Sequence, residues 1–360
     1  MRNDRYRKSN TGFLCLLLCA VMLCTAGCGS DLSDTKIVLT TGLNKDEVFR
    51  IETISCTRPE MMVYITNIQN QYENVYGERI WETEADGTTL EERVKENALA
   101  KMAQVKTMNL MAGSLGVTLT PEELKSVDSA TDIYYGSLSN AEIEGMGINR
   151  DTIYNLYREY LIAQRVYGEI ISDVNPEVSD DEARNITIEY IYIYTFTTDG
   201  TGRRVNMSED ENKAAYARAN EAHARAMEGE EFDSLVAEYS DSSDMVVSLG
   251  KDDISNAYIR NALFDLSNDE ISDVLSTDDG YLIARCLSTY NLEETDLNKI
   301  KIVERERESV FSETYDAYVA DLTRKLNDQL WSEIGFLHGD EYDTSDFFKI
   351  ADENLVISRS

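Results

Sequence analysis

The chain has 360 residues, 67 of them acidic and 34 basic, for a net charge of −33 at neutral pH. Phosphate recognition needs a basic footprint, so a nucleic-acid partner is disfavoured, and the same acidity repels an anionic membrane surface. The two histidines and six cysteines never recur at metal-ligand spacing.

The N-terminus carries Arg2, Arg5, Arg7 and Lys8, then an apolar core from Phe13 to Leu23 that is too short to span a bilayer, the order expected of an export signal. It closes on Leu23-Cys24-Thr25-Ala26-Gly27-Cys28-Gly29-Ser30. That run resembles a bacterial lipoprotein cleavage box, which implies lipid on Cys28, anchoring to the outer face of a bacterial cell membrane, and loss of residues 1–27. Thr25 stands where a branched apolar residue is usual, and an ordinary secretory signal is the alternative. Cys15, Cys19 and Cys24 leave with the signal, so Cys56 and Cys286 remain; an exported chain allows them to pair, and two separate buried thiols is the first reading.

Residues 28–35 read as a polar tether. Lys36 to Thr41 and Val48 to Ile54 read as two strands around a Gly-Leu-Asn-Lys-Asp-Glu turn. Helices follow. Thr57 with Glu60 signals the first, with Met61, Tyr64, Ile65, Ile68, Tyr72 and Val75 in one stripe. The second runs from Leu90 to Leu115 and stops at Gly116, with Val94, Leu99, Met102, Val105, Met108 and Leu115 as its apolar side. Thr120-Pro121-Glu122-Glu123 starts a third, Ser139 with Glu142 a short fourth, and Ile153 to Ile171 is a fifth. Tyr and Met crowd these stripes. Core packing is the first reading of them, and an adaptable surface for unfolded polypeptide the second.

Asn175-Pro176-Glu177 stops the fifth helix and forms the domain junction. Ile186 to Phe196 is apolar on both faces, as a central buried strand should be. Ser208 with Glu211 caps a helix, Gly229 ends it, and Phe232, Leu235, Val236 and Tyr239 fall at helical spacing in the next. Met245 to Leu249, Ile271 to Ser276 and Tyr281 to Leu287 are further strand candidates. Asp296 to Leu330 reads as one long helix, and residues 336–360 as an acidic tail ordered only in part.

The order of these segments, with Leu249-Gly250, Ala262 to Leu266, Asp269 to Ser272 and Thr277 to Ala284, resembles a parvulin-type (PpiC, rotamase) peptidyl-prolyl isomerase domain. With a helical region before it and the Pro-Glu-Val-Ser-Asp-Asp-Glu linker between, the whole resembles the PrsA/SurA-type extracytoplasmic foldases. The resemblance implies an α+β chain: an all-α domain with a short hairpin (36–184), an inserted antiparallel-sheet module (185–292), and a C-terminal helix (293–335) returning to complete a discontinuous helical domain. It also implies, as partners, unfolded or partly folded exported polypeptides, held in a cleft between the domains.

Parvulins resemble one another in furnishing a proline pocket with two histidines on adjacent strands. At the matching positions this chain has Tyr190 and Leu282. Ser242 stands near the family's Cys/Asp position, Ser248 lies in the altered Leu-Gly run, and Ile254 or Ser255, Tyr258 or Ile259, and Phe264 would form the wall. His223 and His338 restore the pair in no register. The expectation is a parvulin fold kept chiefly as a chaperone or holdase platform. The alternatives are an active isomerase with a rebuilt site and an acidic wall-side interaction lipoprotein. With no Gly-rich phosphate loop and no His for a nucleophilic triad, no nucleotide, metal or cofactor is expected.

Overall fold

The structure is a computed structural model that describes residues 42–85, 87–200, 203–243 and 245–357. The signal, Cys28, the tether and the strand expected at Lys36–Thr41 lie outside the described residues. The chain divides into two compact units, residues 1–173 with 308–360, and residues 174–307.

The first unit begins with a hairpin of β1 (Glu47–Ile51) and β2 (Ile54–Thr57). The single strand expected over Val48–Ile54 is corrected here: the chain reverses at Glu52, which takes a positive φ of 50°. After α1 (Arg58–Tyr76) and the short pair β3 (Glu84–Ala85) and β4 (Thr88–Thr89) come α2 (Leu90–Leu115), α3 (Pro121–Ser137), α4 (Asn140–Met146) and α5 (Arg150–Ile170). Capping boxes close the N-termini of α1, α2, α3 and α4 at Thr57, Thr89, Thr120 and Ser139, each through a Glu three residues on. Such boxes satisfy backbone N–H groups that a helix start leaves unpaired.

The tyrosine and methionine stripes are core. Tyr64, Tyr134, Tyr157 and Tyr160, with Met61, Met102, Met108 and Met146, are among the most completely buried side chains of the chain. The second reading of the stripes, as an exposed surface, is thereby corrected for these residues. On α2 the buried face runs through Ala98 and Met111, while Leu115 is exposed. Val75 is likewise outside the core, at 71% exposed.

The second unit holds a short α6 (Asp180–Ala183), then β5 (Asn185–Tyr194), β6 (Phe196–Thr198), β7 (Arg204–Asn206), α7 (Glu209–Met227), α8 (Phe232–Tyr239), β8 (Val246–Gly250), α9 (Ala257–Phe264), β9 (Leu275–Ser276) and β10 (Gly280–Ser288). Its four-stranded sheet is antiparallel throughout, in the order β8-β5-β10-β9. The strand expected over Ile271–Ser276 shrinks to the two residues of β9 and one bridge between Ile271 and Arg285.

Alternation along β5 sorts its side chains into two layers. Ile191 and Ile193 pack with Ile283 against α7 and α8, and the small stripe Ala215, Ala219, Ala222, Ala226 lets α7 lie close on the sheet. Ile186 and Ile188 pack on the other face with Leu282, Ala284, Cys286 and α9. Gly280 is needed where β10 begins, because a Cβ there would stand 2.0 Å from the Ile193 carbonyl oxygen.

α10 (Leu292–Val319) crosses the boundary between the units at Arg307. The single helix expected to Leu330 ends eleven residues early. Residues 324–326 form β11 (Arg324–Leu326), antiparallel to β1 with Leu326 opposite Phe49, and α11 (Asp328–Glu333) carries the buried Leu330. Pairing with the open edge of β1 overrides a four-residue apolar spacing that suits a helix equally well.

The acidic tail is also corrected. It contains α12 (Phe347–Asn354), whose Phe347 is 0% exposed and whose Phe348, Ile350 and Ala351 are buried. The helical domain is discontinuous, as the resemblance implied, and the chain end is part of its core.

Candidate functional site

The face of the sheet opposite α7 and α8 carries the residues singled out from sequence. Even-numbered positions of β5 point there, so Tyr190 and Tyr192 stand in line, both half-buried, against a cluster built by Ile259, Leu263, Phe264 and Leu282. In the strand register Tyr190 is opposite Ala284, and Leu282 is opposite Tyr192. Tyr190 and Leu282 are therefore neighbours on a diagonal, within reach of one bound group. Ile254 packs at the margin of the same cluster.

Tyr190 and Tyr192 each meet a hydroxyl, while farther along the same face the Arg184 guanidinium lies over the Phe264 ring, 5.1 Å from its centroid. Tyr190 Oη lies 3.4 Å from Ser242 Oγ, and Tyr192 Oη is hydrogen-bonded to Thr277 Oγ1. Burial pushes the Tyr192 phenol above its usual value, against the Thr277 hydrogen bond that lowers it. The loop after α8 fixes Ser242 by closing on β5: Tyr192 N donates to Ser240 Oγ at 3.1 Å, Asp241 N donates to Tyr192 O at 2.8 Å, and Tyr194 N donates to Asp241 Oδ2 at 3.0 Å.

Two sequence assignments fall away. Ser248 is opposite Thr187, on the α7 and α8 side of the sheet, where its Oγ lies 2.9 Å from Thr187 Oγ1 and accepts from Asn291 Nδ2 at 3.3 Å. The alternation of β8 puts Val247 and Leu249, not Ser248, toward Tyr190. Tyr258 is 66% exposed and stays out of the cluster, because α9 turns Ile259, Leu263 and Phe264 inward; Ser255 is exposed as well.

Sequence reasoning missed Tyr192 and Thr277, although Tyr190-Ile191-Tyr192-Ile193-Tyr194 announces the row. The ring centroids of Tyr192 and Tyr194 are 5.1 Å apart, and those of Tyr194 and Phe196 4.9 Å. His223 belongs to α7, across the sheet, where it is half-buried, and His338 belongs to the first unit. Cys56 and Cys286 are free and buried, in separate units, and burial raises both thiols. Among the described residues no group of His, Cys, Asp and Glu could hold a metal ion, and no helix is long and apolar enough to cross a membrane.

The family model of the PPIC-type PPIASE domain, the rotamase family, matches residues 197–288. The match starts after β5, so it includes Leu282 and not Tyr190. It bears out the parvulin-type module. No curated protein matches by sequence. Among solved structures the chain is similar to the peptidylprolyl isomerase PrsA of Bacillus cereus, at 17% identity over 75% of this chain and 98% of that one, with a TM-score of 0.36. It is also similar to the foldase PrsA of Streptococcus pneumoniae, at 16% identity over 76% and 98%, with a TM-score of 0.25. A SurA-like chaperone of Campylobacter jejuni matches at 11% over 78% and 98%, with a TM-score of 0.28.

Proposed function

We propose that this chain is an extracytoplasmic folding factor whose parvulin-type module binds exported polypeptides and accelerates prolyl isomerisation little or not at all. The observation that carries the reading is the make-up of the face at Tyr190 and Leu282: an apolar floor and a row of tyrosines whose side-chain partners are hydroxyls. Isomerisation crosses a barrier of about 20 kcal/mol that comes from amide resonance. A site lowers it only by favouring the twisted amide over the planar one, gaining tenfold for each ~1.4 kcal/mol of that preference. A floor that holds the prolyl ring binds planar and twisted forms alike. Bonding selective for the twisted form is what imidazole donors would supply, and Leu282 can donate nothing.

In the same reading lipid on Cys28 anchors the chain at the outer face of the membrane, where exported chains emerge unfolded. The opposing reading, an isomerase with a rebuilt site, draws on the Tyr190 and Ser242 hydroxyls, either of which can donate to a substrate carbonyl.

A protease-coupled prolyl isomerisation assay on residues 29–360 separates the two. The expected result is a rate at background together with suppression of aggregation of an unfolded reference protein. A rate above background that falls in Tyr190→Phe would replace the binding platform with an enzyme.

A further inference from the structure

β8 ends the sheet, and its outer edge is open. Tyr190 N donates to Met245 O at 3.0 Å, which sets the phase of the ladder between β5 and β8. Antiparallel pairs alternate, so Val247 and Leu249 turn their peptide groups toward β5, and Val246, Ser248 and Gly250 turn theirs away. Gly250 N is closed off by Asp253 Oδ2 at 2.7 Å, as that phase requires. The outward N–H and C=O groups of Val246 and Ser248 have no partner among the described residues.

Open edges are ordinarily blunted by proline, an inward charge, a bulge or a covering segment. Met245 to Gly250 has the sequence Met-Val-Val-Ser-Leu-Gly, its register with β5 is unbroken, and Met245 and Val246 are 48% and 52% exposed. The charges that flank it are Asp244 in the sequence before Met245 and Lys251 after Gly250, the latter drawn to Asp181 at 2.9 Å.

We propose that the outer edge of β8 is a strand-addition site, at which an extended segment of unfolded polypeptide pairs its backbone with Val246 and Ser248. The inference rests on the polypeptide-binding reading and locates it. A guest strand there lies beside β8, two strands from β5, and its alternate side chains continue the face that carries Val247, Leu249 and Tyr190. Backbone pairing reads no sequence, which suits a factor that meets many clients. A second copy of this chain presents the same edge, but a net charge of −33 on each copy opposes that association and favours a cationic guest.

The test is amide hydrogen exchange on the folded protein with a labelled synthetic peptide of alternating valine and lysine, beside its affinity for wild type and Val246→Pro. Proline at an edge position removes an outward N–H and leaves the ladder to β5 whole. Expected are slowing of exchange at Val246 and Ser248 by about tenfold or more on binding, and an affinity about tenfold weaker in the variant. Binding that leaves both amides unprotected overturns the edge site while the polypeptide-binding reading stands, as does binding indifferent to the proline. Failure of wild type to bind either the peptide or an unfolded protein overturns both. Protection of the same amides by self-association, without peptide, gives the edge to a second copy and overturns the client. Should the proline variant not fold, exchange on wild type decides alone.

Discussion

Phe347→Ala tests the claim that the chain end is core. The Phe347 ring stacks on Tyr157, with centroids 4.5 Å apart and planes at 5°, and meets Tyr134 edge-on at 5.3 Å and Phe348 at 5.2 Å. Its backbone is tied on both sides: Phe347 N donates to Asn67 Oδ1 at 3.0 Å, and Tyr157 Oη donates to Phe347 O at 3.0 Å. Full burial of such a side chain contributes about 1.5–3 kcal/mol, and a cavity that the surrounding rings cannot close adds to the loss. Aromatic pairing adds a further ~0.5–1.5 kcal/mol for each well-placed partner. With the backbone ties holding α12 in place, collapse is limited, and the expected loss is about 4 kcal/mol, within the range of buried Phe→Ala changes. Both tryptophans of the chain, Trp81 and Trp331, belong to the first unit, so urea unfolding followed by tryptophan fluorescence reads that unit. The exposed Glu353→Ala serves as control, expected within about 0.5 kcal/mol of wild type. A loss below about 1 kcal/mol for Phe347→Ala would refute the packing argument.

Introducing Tyr190→His with Leu282→His into the folded module should raise the isomerisation rate above wild type, about tenfold for each ~1.4 kcal/mol recovered; no gain in a folded double variant would show that missing imidazoles are not the reason for low activity. Lys106 is buried with its Nζ 2.7 Å from both Glu60 Oε1 and Glu159 Oε2, so Lys106→Met strands two carboxylates and should lose about 3–5 kcal/mol in the same urea assay. Glu159→Gln added to that variant should recover part of the loss, and failure to do so would argue against an electrostatic cause. Burial opposes ionisation of Glu47, but hydrogen bonds from Arg50, Ser55 and the Asn44 N–H outweigh it and hold the carboxyl below its usual value. Its stabilising contribution is therefore complete above the unfolded value of 4.5 and is lost as pH falls through the folded value. Glu47→Gln should flatten that acid limb of stability, measured by urea titration across pH; an unchanged limb would place the titration elsewhere.

Capping and periodicity were plain to read. Thr57, Thr120, Ser139 and Ser208 each start a helix with their Glu partners, because a cap is a local device that needs four residues and no tertiary contact. The strand over Ile186 to Phe196 was plain as well, whereas it is the register of β5 with β10 that brings Tyr190 and Leu282 to one face. Ser248 and Tyr258 were misplaced for a geometric reason: a register shifted by one residue, or a helix turned by 100°, sends a side chain to the other side, and neither quantity is local. The extent of the last helix failed similarly. Leu322, Leu326 and Leu330 fit helical spacing, and only the open edge of β1 makes a strand of Arg324–Leu326.

By itself, then, the sequence determined the class of the fold and the order of its segments, since these follow from residue type and short-range pattern. Tertiary structure alone decided that an acidic chain end enters the core of the helical domain, that the second site tyrosine is Tyr192, and that the edge of β8 stays open. Each depends on which distant segment is free to satisfy a buried ring or an unpaired peptide group, and that is settled by the three-dimensional competition for partners.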